Sequence, residues 1–237
     1  MLRTAYIVLF LFFSMNILAW VVVKEHQARW LNVPPPPSTQ SLIAGSLGDS
    51  ELAYRLSGYF LQNLGDHGGA IRNINEYDFN TLQDWFYRAD SLNQKSNYVP
   101  ALAASYFGVT REPSNIEPVA EYLADIGMRP YGDKWRWLVW AIMHEKNELR
   151  NTDKALELSY ILEAREYENK PAWAYRLSPV ILAEAGRDID SYIRARHVRL
   201  LHAQHLNHKE KQFLYNFICD RYEQFSQAEP ACLLQNE

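Results

Sequence analysis

Residues 98–130 read YVPALAASYFGVTREPSNIEPVAEYLADIGMRP, and this stretch decides the fold. Ser114-Asn115-Ile116-Glu117 is a capping box, in which a serine and a glutamate three residues on satisfy the free amides that open a helix. Behind it Ile116, Val119, Ala120, Leu123 and Ile126 recur at helical spacing on one side. Glu117, Glu121 and Asp125 fall four residues apart on the opposite side. Ahead of it, Pro100 to Gly108 makes a shorter helix. The stretch is therefore two helices joined by a polar turn and closed by Pro130.

The same pattern extends in both directions. Upstream, Asp49 predicts the N-cap of a helix ending near Leu64, with Gly65 as its stop. A glycine-rich loop over residues 65–69 follows. Asp78 then caps a helix to about Leu92, with Tyr77 and Leu82 as a hydrophobic staple. Downstream, Trp135, Trp137, Leu138, Trp140, Ala141 and Ile142 surround nearly the whole helix circumference, which predicts burial between neighbours. Thr152 to Ala164 carries Ala155, Leu158 and Leu162 on one stripe. Ala172 to Ala185 follows Pro171, Ile189 to Leu206 follows Gly186-Arg187-Asp188, and a last helix runs from Lys209 to about Phe225. Strand alternation is nearly absent. Paired, these segments make units of about 33, 41 and 35 residues, the size of solenoid repeats. The expected fold class is all-α, an α-solenoid of stacked antiparallel helical hairpins over residues 48–237, because a lone hairpin cannot bury its apolar face.

This spacing resembles the tetratricopeptide repeat in degenerate form. Phe107-Gly108 sits where that family places Leu-Gly, Ala120 and Gly127 match its small-residue positions, and Pro130 closes the unit. Trp137, Trp140 and Ala141 fit the first helix of the next unit, and Asp153-Lys154-Ala155-Leu156 looks like the opening of its second. The insertion before Ala155 and the late Pro171 depart from the pattern. The resemblance covers roughly Gly48 to Leu206. It implies an interaction scaffold with an extended concave surface, no catalytic residues and no cofactor. The Leu47-Gly48-Asp49 and Leu64-Gly65-Asp66 turns are also similar to those of anchored bacterial repeat proteins, a likeness that carries no activity.

The N-terminus predicts a membrane anchor. Thr4 to Val23 contains no ionisable side chain except Tyr6, and 20 residues rising about 1.5 Å each cross the roughly 30 Å bilayer core. Tyr6 and Trp20 sit near its ends, where aromatic rings prefer the interface. A cleaved signal peptide is the alternative, with Ile17 then occupying a position that wants a small residue. Residues 1–30 are thus read as one transmembrane helix and its flank, and residues 31–47 as a proline-rich linker. Pro34 to Pro37 would form an extended spacer of about 12 Å. Lys24, His26 and Arg29 outnumber Arg3, which leans towards a cytoplasmic body. The short basic tail and the two cysteines lean the other way. The expectation is a single-pass protein of a bacterial inner membrane with a periplasmic body. There, Cys219 and Cys232 would close a disulfide that ties down the C-terminus; otherwise both stay free thiols.

The chain has 237 residues, 48% of them hydrophobic, and a net charge of −4. That composition suits a globular body, and its sign argues against nucleic acid as a partner. Phosphate-binding loops, HExxH and a nucleophile elbow are absent. His202 and His205 stand three apart and could reach one ion, but no further ligand completes a site, so no metal is expected. On that helix Ile189, Ile193, Leu200 and Ala203 form the apolar stripe, with the two histidines on an exposed polar face. Arg194, Arg196, Arg199, Lys209 and Lys211 share the region. The acidic face (Glu117, Glu121, Asp125) and the basic one (Arg194, Arg199, His202, His205) read as solvated surface or as docking patches for a partner or a second copy. The tryptophans read as core.

The functional expectation is a membrane-anchored protein-interaction scaffold supporting a bacterial envelope complex, and not an enzyme. The alternatives are a structural subunit of a membrane complex, or a glycan-acting enzyme using Glu145 and Glu148, one of which would need its pKa raised by an apolar pocket.

Overall fold

The structure is a computed structural model that describes residues 10, 12–20, 33–67, 70–71, 73–221 and 232. Within it, residues 12–20 are helical (α1). The further helices are α2 (Thr39–Gly45), α3 (Ser50–Gln62), α4 (Phe79–Leu92), α5 (Tyr98–Ser105) and α6 (Pro113–Gly127). They continue as α7 (Trp135–Asn147), α8 (Thr152–Ala164), α9 (Leu177–Glu184), α10 (Asp188–Leu201) and α11 (His208–Cys219). The fold is all-α, with one small departure from the helices-only expectation. Asp66–His67 and Ala70–Ile71 pair as a two-residue antiparallel ladder.

Local chemistry explains the boundaries. The Asp49 carboxylate accepts from the Glu51 and Leu52 amides, and that of Asp78 from Asn80 and Thr81, so each opens its helix. Tyr77 closes the turn between them by donating its hydroxyl to the Leu64 carbonyl at 2.8 Å. Its ring end occupies the space where a side chain on Gly65 would lie, and Gly65 has φ +87°. Helix α6 starts differently from the expected capping box. It begins at Pro113, one residue before Ser114, and no side chain caps it. Proline lacks the amide that needs a cap and brings helical φ with it.

Consecutive helices pack on one another, α3 on α4, α5 on α6, α6 on α7, α7 on α8, α8 on α9, α9 on α10 and α10 on α11, and α4 also meets α6. One of these approaches is backbone to backbone. A Cβ on Gly127 would come within 2.2 Å of the Leu138 nitrogen, so glycine there lets α6 and α7 touch. One apolar core runs from Val33 to Leu182. A separate cluster of Tyr175, Tyr192, Ala195, Val198, Leu206, Leu214 and Ile218 holds α10 and α11.

Three expectations change. The proline-rich segment is not a free spacer, because Val33 is buried in the core and the Pro34 carbonyl accepts from Trp85 Nε1 at 2.6 Å. A buried indole N–H needs a partner, and α2 packs on α3 and α4 beside it. Among the described residues, packing on the core thus already includes Val33. On α7, Trp135 and Trp137 are buried but Trp140 is 42% exposed. On α10 the inward face is the reverse of the expected one. Ser191, Tyr192, Ala195 and Val198 are buried, while Ile189, Ile193 and Leu200 face solvent.

Candidate functional site

Exposed apolar side chains stand on the first helices of three successive pairs. Leu52, Leu56 and Tyr59 stand outward from α3, Tyr98 and Tyr106 from α5 and its end, Val109 from the turn after it, and Trp140 from α7. Specific contacts hold these elements side by side. The Tyr98 ring lies against Gly58, and its hydroxyl donates to Gln62 Oε1 at 2.5 Å. The Val99 amide donates to the Tyr54 hydroxyl at 3.2 Å. The next joint is at Gly108, where a Cβ would meet His144 Nε2 at 2.9 Å. The His144 and Trp140 rings are 5.8 Å apart. Tyrosine and tryptophan expose large area on few rotors, and they are enriched where proteins bind one another. Sequence reading missed this ridge. The signal was available in α3, whose Leu52, Leu56 and Tyr59 form a second apolar stripe beside that of Ala53, Tyr54 and Leu61.

The acidic residues lie where the α6 periodicity places them. Glu117, Glu121 and Asp125 are exposed, and two are tied to α4. Gln83 Nε2 donates to Glu121 Oε2 at 3.0 Å, and the Tyr87 hydroxyl donates to Asp125 Oδ2 at 2.5 Å. Burial first, and Asp125 second, push the Tyr87 phenol well above its ordinary range.

The basic candidates divide. Arg194 and His202 converge on Glu163 of α8, a carboxylate only 4% exposed. Arg194 reaches Glu163 Oε2 at 2.5 Å, His202 Nε2 lies 2.9 Å from Oε1, and Ser178 donates to Oε2 at 3.2 Å. The buried Tyr175 ring lies tilted against His202 and stacks on His205, at 4.5 and 5.3 Å between centroids. Lys170 Nζ donates to the Leu162, Glu163 and Arg165 carbonyls, closing the end of α8. His202 is thus turned inward, against the expected polar face, because it ends α10 beside Glu163. His205 remains exposed and Arg199 is half-buried. Glu163 could not be found by spacing, since it lies 39 residues before His202. Cys219 and Cys232 are joined in a disulfide with their Cα atoms 5.6 Å apart.

Glu145, singled out for the enzymatic alternative, is 8% exposed, and its Oε2 has no hydrogen-bond partner. Burial raises its pKa; Lys154 opposes the rise, and Glu117, Glu121 and Glu157 add to it. His144 is buried 3.4 Å from Glu148 Oε2; burial lowers its pKa against the pull of that carboxylate. Among the described residues, no group of three or more His, Cys, Asp or Glu could hold a metal ion. Nor is any described helix long and apolar enough to cross a membrane. Most of the Thr4–Val23 anchor expected from the sequence lies outside the described residues.

No protein family, curated protein or solved structure matches this chain.

Proposed function

We propose that this protein is an interaction scaffold, a tetratricopeptide-like solenoid tethered at a membrane by its N-terminal helix, with no catalytic role of its own. One observation carries the reading, the row of exposed Leu52, Leu56, Tyr59, Tyr98, Tyr106 and Trp140 on first helices. Terminal and solvent faces of a self-sufficient repeat array are ordinarily polar, and an apolar aromatic row is a surface made for a partner. The tether is supported by α1, where Phe12, Phe13, Met15, Leu18 and Trp20 are all more than half exposed. A hydrocarbon environment suits such side chains better than water. The Cys219–Cys232 bridge favours a body on the oxidising side, the periplasm of a bacterium, and envelope complexes assemble there.

The test is photo-crosslinking in cells from positions 59, 106 and 140, with position 117 as control. The expected result is one discrete adduct, shared by the ridge positions, absent at position 117, and lost in a Y59A/W140A variant whose melting is unchanged. Adducts of equal yield from all four positions would refute the assignment.

A further inference from the structure

The extended segment before α2 and the flank of α4 border a cleft of about 500 Å³, within the range of small-ligand sites. Its walls are preset. Pro35 and Pro36 line one side, their backbone fixed by their own rings, and Trp85 Nε1 holds the neighbouring Pro34 carbonyl at 2.6 Å. On α4 the Tyr87 ring is fixed by the bond from its hydroxyl to Asp125 and by an edge contact with Tyr122, 5.2 Å between centroids. Two opposite charges share this cleft, Asp84 and Arg88. On a helix, an aspartate and an arginine four residues later ordinarily meet. Here they form no ion pair. Arg88 is turned towards α2, where its Nη1 donates to Thr39 Oγ1 at 3.0 Å, and Ser91 Oγ lies 3.3 Å from the same hydroxyl. The Arg88 Nε is enclosed without a partner. Asp84 is exposed and, among the described residues, has neither a hydrogen bond nor an ion pair.

We infer that this cleft binds a small zwitterion of the α-amino acid type, its carboxylate meeting Arg88 and its ammonium meeting Asp84. A guanidinium presents its N–H donors in a planar fork that matches a carboxylate, and the single bond to the Thr39 hydroxyl leaves most of that fork unused. A lone anion would face the Asp84 charge, and a lone cation that of Arg88, so a ligand carrying both signs is favoured over either. The proline and Tyr87 rings beside the two charges offer apolar surface to the ligand's side chain. Because these walls are held before a ligand arrives, binding carries little ordering cost. The cleft shares no residue with the ridge of α3, α5 and α7 and does not depend on the scaffold reading.

The full chain in nanodiscs is dialysed to equilibrium against every proteinogenic amino acid in turn, each radiolabelled. At least one should bind with a Kd of about 1 mM or tighter, while acetate, methylammonium and inorganic phosphate should compete only weakly. Asp84→Asn should weaken that binding about tenfold or more. Since Asp84 makes no bond within the fold, the variant should melt with the parent. Arg88→Gln should weaken binding to the same degree. Asp153→Asn, which removes an exposed charge from another helix, should leave binding unchanged. Failure of every amino acid to bind overturns the inference. So does an Asp84→Asn variant that binds as the parent does, or acetate or phosphate bound as tightly as the best amino acid, which would mark a plain anion site. If Arg88→Gln fails to fold, Asp84→Asn decides alone.

Discussion

Glu163 Oε1 lies 2.9 Å from His202 Nε2, and this contact joins the third helix pair to the end of the fourth. The same carboxylate takes Arg194, and it is nearly water-free. A buried charge loses its hydration and must be compensated by its partners. Removing the carboxylate strands the Arg194 guanidinium and takes the partner from His202 Nε2, so Glu163→Ala should cost about 3 kcal/mol in urea unfolding. Asp190→Ala, which removes an exposed partner of Arg187, should cost less than about 1 kcal/mol. Equal costs would show that the Glu163 cluster is not a joint.

Glycine content divides in the same way. Gly127→Ala forces a methyl group onto the Leu138 backbone, and neither helix can yield without separating the α6–α7 contact. The expected loss is about 3 kcal/mol or failure to fold. Gly45, in α2, has nothing within 4 Å of its would-be Cβ, so Gly45→Ala should be neutral or stabilising by up to about 1 kcal/mol. Thermal melts of the two variants check this.

Glu145 predicts a pH dependence. Its folded pKa is raised by burial and by Glu117, Glu121 and Glu157. Its contribution is therefore fully present below the unfolded value of 4.5 and lost as pH climbs through the folded value. Glu145→Gln, which is neutral throughout, should melt higher than the parent at about pH 7.5, and the gap should close on acidification towards about pH 4.5. Parallel curves would mean that the carboxyl is paired.

Lys134 predicts the opposite slope. It is 1% exposed and donates to the Ser96 carbonyl at 2.7 Å. Burial depresses its ammonium to about 8, partly offset by Asp90. The folded chain sheds this proton near pH 8 while the unfolded chain keeps it to about 10.5. Stability from this group should rise between those values by roughly 3 kcal/mol. Lys134→Met should lack the rise; urea unfolding from about pH 7 to about pH 10 compares the two.

The Cys219–Cys232 bridge closes a short loop, 13 residues in sequence separation, and Cys232 packs on the small C-terminal cluster. Cys219→Ser/Cys232→Ser should lower the stability of α11 by up to about 3 kcal/mol. Hydrogen exchange in α3 to α7, whose core is separate, should change far less.

Much of this architecture was legible in one dimension. Asp49 and Asp78 cap because a short carboxylate before an apolar-periodic run has little else to do, and Ile116 to Ile126 name the buried face of α6. Helical spacing says which residues share a face, but not which of two apolar faces turns inward. On α10 the stripe of isoleucine and leucine lost to Tyr192, Ala195 and Val198, because small and aromatic side chains fit against α9 and α11. Trp140 departs from expectation for a related reason. An all-round apolar helix is expected to be enclosed, yet the neighbours of α7 leave one side open.

By itself, then, the order of residues determined that the chain folds as successive helices, where most of them start, and that the N-terminal segment is oily and the body mildly acidic. Those are local properties, set by backbone capping, periodicity and composition. The tertiary structure decided that Glu163, Arg194 and His202 meet, that the prolines lie along α4, and that α3, α5 and α7, each leaving an aromatic side chain exposed, pack side by side. Each of those facts joins residues tens of positions apart, and only packing brings such groups within range of a hydrogen bond or a ring contact.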